Sequence, residues 1–209
     1  MSRLPRLLLP GVPLHIIQRG HNRQPCFFID SDYLVYLEWL SKHASAVACS
    51  IHAYVLMTNH VHILASFDDV MLAPELMRRL GQQYTRYLNK RLGRTGSIWE
   101  GRYWSHPVPT ERYLLTCQRY VEANPVRAAM CWHQRDYRWS SYLGNAGLGT
   151  DRLLCPHELY LRLGLSDVER HLNYQRLSDE ALHQDELARF RSLMKETAPR
   201  GRPRKIAGI

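Results

Sequence analysis

The sequence predicts an α+β fold, with a central antiparallel sheet and its helices on one face. Three observations carry this. Short hydrophobic segments of strand character alternate with two long segments of helical periodicity. Two of the strand-like segments, 50–57 and 60–67, are separated only by Thr58-Asn59, which reads as a hairpin turn. A hydrophobic fraction of 45 % supplies a core, and 22 % charged residues is too few for a disordered chain of 209 residues.

The first strand is Leu14–Gln18 (LHIIQ), followed by the polar loop Arg19–Gln24. A helix is expected from Asp30 to about Ala48, with Leu34, Leu37, Leu40 and Ala44 along one side. After the hairpin, Pro74–Leu92 reads as a second long helix whose buried stripe is Leu76, Leu80, Tyr84 and Leu88. Gly93 and Gly96 end it. Arg102–Pro109 returns as a strand, and Pro107 and Pro109 put it at an edge, where a missing N–H is tolerated. Thr110 is a natural N-cap for a third helix from Glu111 to about Ala123. The order β-α-β-β-α-β-α is the split βαβ arrangement of ferredoxin-like folds. Beyond about Asp151 the character changes. Short helical pieces are expected around 156–163 and 166–171, then a polar helix over 178–196 and a basic end from Pro199. The expected division is a body over 1–150, a helical extension over 151–198, and a basic tail without fixed structure over 199–209.

Lys and Arg number 28 against 19 Asp and Glu, a formal charge of +9, which favours a polyanionic partner, nucleic acid first. The five cysteines are scattered without a C-x-x-C pair, which argues for reduced thiols, a cytoplasmic setting and no cysteine-built zinc site. The run Leu7-Leu8-Leu9 is too short for a signal-peptide core, and no stretch approaches the about 20 apolar residues of a membrane span.

His60-Val61-His62 stands in a hydrophobic strand. Residues i and i+2 of a strand project from one face, so the two imidazoles stand side by side and suit a single divalent metal. Two half-buried histidines with separate partners remain the plain alternative. Tyr120 and Asn124 are four apart, on one face if the helix continues. A phenol beside a metal-bound phosphate is a nucleophile, and an amide oxygen is a metal ligand. Tyr120 reads equally as a core aromatic, and Asn124 before Pro125 reads equally as a helix boundary. Arg78, Arg79, Arg86 and Lys90 give the second helix a basic surface for phosphates, or a solvated face. Trp99 and Tyr103 are candidates for stacking on unpaired bases, or for the core.

Taken together, the histidine pair and the later segment Tyr120-Val121-Glu122-Ala123-Asn124-Pro125-Val126-Arg127-Ala128 resemble the single-tyrosine transposases of the histidine–hydrophobic–histidine superfamily, and among them the REP-associated branch. Arg19-Gly20-His21-Asn22-Arg23-Gln24 resembles that branch's early R-G-x-N-R-Q. Gly96-Ser97-Ile98-Trp99-Glu100-Gly101-Arg102-Tyr103 resembles its G-x-hydrophobic-W-x-x-R-aromatic segment. The resemblance covers about residues 1–145. It implies Tyr120 as nucleophile, His60, His62 and Asn124 as ligands of Mg²⁺ or Mn²⁺, and single-strand cleavage and rejoining through a 5′-phosphotyrosine. The implied substrate is single-stranded DNA beside a hairpin, bound at Arg19, Asn22, Arg23, Gln24, Arg78, Arg79, Arg86, Lys90, Trp99, Arg102 and Tyr103. The stretch Arg200-Gly201-Arg202-Pro203 also resembles an AT-hook, with Arg200 and Arg202 reaching a minor groove. A monomer or homodimer acting at the nucleoid is expected. The alternative is a DNA-binding regulator derived from a transposase and lacking catalysis.

Overall fold

The computed structural model describes residues 8–108 and 111–180, with Ala188 and Ser192. Four strands form one sheet: β1 (Leu14–Arg19), β2 (Cys49–Met57), β3 (His60–Phe67) and β4 (Trp104–Pro107). Their order is β2-β3-β1-β4, and every neighbouring pair is antiparallel. The helix α1 (Asp30–Ala46) connects β1 to β2, and α2 (Ala73–Leu92) connects β3 to β4. This is the expected split βαβ topology.

Alternation sorts the side chains of the sheet. Leu14 and Ile16 of β1 and Val61 and Ile63 of β3 point to the face covered by α1 and α2, where they join one core with Leu40, Leu76, Leu80 and Tyr84. The stripe expected on α2 is fully buried. On α1 the buried side is Tyr33, Tyr36, Leu40 and Ala44, while Leu34 is 55 % exposed. The tyrosines take the inward positions because their rings fill a wide gap: Tyr33 stacks on Phe27 and Trp139, and Tyr36 meets Tyr84 edge-on at 5.1 Å. The start of α1 is tied down by Asp32, which accepts from the backbone N–H of Phe28 and Ile29 and pairs with Arg91 of α2 at 2.7 Å.

A further helix, α3 (Glu111–Glu122), lies on the opposite face, so helices cover part of both sides of the sheet. Leu114, Cys117 and Val121 of α3 pack on Val55 and Met57 of β2 and Leu64 of β3. Short helices follow: α4 (Asn124–Arg127), α5 (Tyr142–Asn145) and α6 (Glu158–Leu161). Then comes α7 (Asp167–Asp179), which is capped at its start by Ser166 accepting from the Glu169 N–H and runs beyond the expected 166–171. Tyr142, Tyr160 and Tyr174 form a small separate core. Thr110, most of the helix expected over 178–196, and the tail with Arg200 and Arg202 lie outside the described residues. Among the described residues no helix is long and apolar enough to cross a membrane.

Candidate active site

The site begins with the alternation of β3. Val61 is fully buried in the α1–α2 core, so His60 and His62 face the other way. Their ring centroids are 5.0 Å apart. The register sets Arg19 opposite His60 and Ile17 opposite His62. His15 of β1 shares this face, stacks on His62 at 5.0 Å, and its Nε2 lies 2.8 Å from the Nδ1 of His62. The Nδ1 of His60 lies 2.6 Å from the Oδ1 of Asn59. Both Nδ1 atoms are therefore engaged, and among the described residues each ring has Nε2 left to offer a ligand.

Burial, with Arg19 adding repulsion, lowers the pKa of His60 to about 4. Burial, with His106 and Arg127, lowers that of His15 to about 3. His62 is pushed well below the usual range by burial and then by its charged and imidazole neighbours. The rings are neutral at physiological pH, the form that coordinates a metal. Two neutral imidazoles fit part of a divalent ion's coordination sphere. Among the described residues no three His, Cys, Asp or Glu side chains are arranged to hold a metal ion together, so the remaining ligands would be oxygens of substrate and water.

The tyrosine arrives on α3. Val121 turns inward and is fully buried, which leaves Tyr120 half-buried at the rim of the histidine cluster. Its ring centroid lies 6.4 Å from that of His62 and 6.1 Å from that of His15. The guanidinium of Arg127 sits 3.7 Å above the tyrosine ring, a cation–π contact. One chain thus supplies the whole cluster.

Asn124 is where the structure departs from the expected ligand set. Its Nδ2 donates to the carbonyls of Tyr120 and Val121, both at 3.2 Å, and its Oδ1 accepts from Arg127 at 2.8 Å. Both ends of the amide are used in ending α3, because Pro125 lacks the N–H that would continue the ladder. Asn124 holds Arg127 over Tyr120 instead of offering its oxygen to the histidines.

The other expected contacts fall into two groups. Arg19, Asn22, Arg23 and Gln24 line the end of β1, the last three exposed. Asn22 and Arg23 adopt left-handed backbone angles there. Gly20 is required at this turn, since a Cβ would stand 2.3 Å from the Gln24 carbonyl oxygen. Arg78, Arg79, Arg86 and Lys90 are exposed on α2, and Arg102 is exposed beyond it. Arg78 and Arg79 both pair with Glu75, at 2.7 and 2.6 Å, and hold its carboxyl down to about 2. Trp99 and Tyr103, at 5 % and 7 % exposure, are largely enclosed by the core. Trp99 packs beside Tyr84 and donates to the Gly81 carbonyl at 3.3 Å.

Three members of the cluster escaped the sequence reading. His15 and His106 sit opposite each other on β1 and β4, and only the strand register brings His15 to His62 with His106 behind it. Arg127 was visible in the segment after Tyr120, but its position above the ring depends on the turn at Asn124. Glu122 was missed as well. It is fully buried and accepts from Ser141 at 2.5 Å, Asn145 at 2.7 Å and Tyr174 at 2.5 Å, which ties the end of α3 to α5 and α7.

A family model for IS200-like transposases matches residues 10–124. Among solved structures, the chain is similar to a REP-associated tyrosine transposase bound to a REP hairpin, with a TM-score of 0.61 and 18 % identity over 76 % of this chain and 93 % of that one. It is also similar to a protein from Deinococcus radiodurans R1 solved as a candidate transposase, with a TM-score of 0.41 and 18 % identity over 58 % of this chain and 96 % of that one. No curated protein matches the chain.

Proposed function

The chain belongs to the family of IS200-like transposases, and from that premise we propose that it nicks and rejoins single-stranded DNA beside a hairpin, with Tyr120 as nucleophile. The observation that carries this reading is the meeting of Tyr120 with His62 and His15, 6.4 and 6.1 Å between ring centroids, on the face where His60 also points. The similar structure that holds a REP hairpin supports hairpin DNA as the substrate class.

His60 and His62 would hold Mg²⁺ or Mn²⁺ through Nε2, and such an ion polarises the scissile phosphate and offsets its developing charge. The Tyr120 oxygen, deprotonated on attack, forms a bond to the phosphorus. The bond from phosphorus to the 3′ oxygen breaks, and that oxygen leaves protonated as a 3′-hydroxyl. The 5′ phosphate stays on Tyr120 as an ester, so a second 3′-hydroxyl can reverse the exchange without an energy source. Arg127, above the ring, adds positive charge where the phenolate forms. Residues 1–150 carry this chemistry in our reading, and the helices beyond 151 brace α3 through Glu122. The cluster needs no second copy, so a monomer at the nucleoid suffices.

The test uses a hairpin DNA with single-stranded flanks, taken from repeats beside the gene and labelled at either end. Cleavage in Mn²⁺ that disappears with EDTA and in Tyr120→Phe or His62→Ala is the expected result. Tight binding with no cleavage across several hairpins and metals would leave a DNA-binding regulator as the better reading.

A further inference from the structure

A cavity of about 910 Å³ opens between the N-terminal half of α2 and the segment 96–103. It lies within the about 300–1,000 Å³ range of sites that hold small organic molecules. Gln18 forms part of its floor. Because Gln18 precedes Arg19 on β1, the cavity is on the sheet face opposite the histidines but at the same end of the strand. The segment 96–103 is held at that end by hydrogen bonds from Glu100 N–H to the Arg19 carbonyl at 2.9 Å and from His21 N–H to the Ile98 carbonyl at 2.8 Å.

The lining has two kinds of chemistry. Trp99 and Tyr103 make an aromatic wall, and the exposed Arg86 and Arg102 stand at the rim. Gln18 is only 5 % exposed, yet among the described residues its Oε1 has no hydrogen-bond partner. A buried acceptor left unsatisfied is costly, so the floor is incomplete without a donor. Gly81 of α2 borders the floor: a Cβ there would come into van der Waals contact with the Gln18 Nε2 at 3.4 Å and the Trp99 Nε1 at 3.5 Å. An amide at the bottom, the accessible edges of two aromatic rings in the wall and guanidinium groups at the mouth match one ligand class. It is planar, carries N–H donors and is joined to a phosphate.

We propose that this cavity takes an unpaired nucleotide from the single-stranded flank of the DNA, with its base edge against Gln18 and its phosphate at Arg86 and Arg102. The inference rests on the DNA-cleaving reading above. A paired base cannot enter such a cavity, because its edge is held in the duplex, whereas a base turned out of the strand can. The site therefore reads one flank position on the face away from Tyr120, and it sets where the strand crosses the end of the sheet towards the histidines.

The test is a coupling experiment with the full chain and the hairpin DNA with single-stranded flanks. Each flank nucleotide is replaced in turn by an abasic one, and affinity is measured by fluorescence anisotropy for the wild type and Gln18→Ala. One position is expected at which the abasic change weakens wild-type binding about tenfold and weakens Gln18→Ala no further. Gly81→Ala, which narrows the floor from α2 and leaves the Gln18 amide in place, is expected to lose the same coupling, and it serves if Gln18→Ala does not fold. Abasic effects that are equal in wild type and variants at every position would overturn the proposal. Tyr120-dependent cleavage of the same DNA is recorded in parallel. Cleavage without coupling rejects the cavity and leaves the functional reading standing, whereas neither cleavage nor binding rejects both.

Discussion

His15 reaches His62 from the neighbouring strand and decides which ring nitrogen remains for a ligand. Replacing it with Phe keeps the stacked ring and removes the hydrogen bond at Nδ1. Mn²⁺ affinity is then expected to fall about 10- to 100-fold by calorimetry, and an unchanged affinity would remove His15 from the site. Glu122 gives the residue scale a pH dependence. Burial raises its pKa to about 7 against an ordinary 4.5, outweighing the three hydrogen bonds that favour the charged form. The folded value is the higher one, so this group's contribution to stability is fully present below about pH 4.5 and is lost as pH rises through about 7. Glu122→Gln resembles the protonated acid. Its melting temperature should fall less than that of the wild type between pH 6 and 8.5, and parallel falls in thermal melts would contradict this. Some of the site was legible residue by residue. His60 and His62 follow from period-two alternation, and Tyr120 follows from its neighbourhood. His15 and His106 were not legible, since a histidine in a strand carries no mark of the strand it will pair with. For Asn124 the sequence left ligand and helix boundary open, because side-chain direction at a helix end depends on the turn that Pro125 imposes, and its amide is engaged at the end of α3.

At the scale of elements, strands and crossover helices were readable because each has a hydrophobic period of its own. β3 runs over the expected His60–Phe67, and the stripe on α2 is the one expected. On α1 Leu40 and Ala44 are buried as expected, but Leu34 is exposed, since Tyr33 and Tyr36 fill the space it was expected to take. Tyr36→Ala, at a fully buried ring, should cost about 3–5 kcal/mol in denaturant unfolding, whereas Leu34→Ala should stay within about 0.5 kcal/mol. Equal effects would restore the leucine face. The placement of α3 across the second face was not legible either. Its apolar stripe announces a buried side, but nothing in one helix names the sheet face it covers. That choice brings Tyr120 to the histidines, and Glu122 fastens it through Ser141, Asn145 and Tyr174.

For the molecule as a whole, the charge of +9 was plain in composition, but its arrangement was not. Glu75 already holds Arg78 and Arg79, so these two contribute less free charge than counting suggests. Among the described residues Arg86 forms no ion pair, and Arg86→Ala should lower the slope of log affinity against log salt by about 1. Glu75→Gln should strengthen binding at low salt, and an unchanged salt slope in both variants would remove α2 from the DNA surface. The cavity beside Gln18 could not be read from the chain, because it arises where a glycine in α2 meets a loop that folds back on β1. The two faces of the sheet thus differ, with the histidine–tyrosine cluster on one and the cavity beside Gln18 on the other. The most direct test of the central claim is to digest the protein after reaction with 5′- and 3′-labelled hairpin DNA in Mn²⁺ and map the modified peptide by mass spectrometry. The account predicts a single adduct, on Tyr120, joined through the 5′ phosphate of the downstream fragment. Covalent DNA on another residue, or cleavage that leaves no protein-linked product, would contradict it.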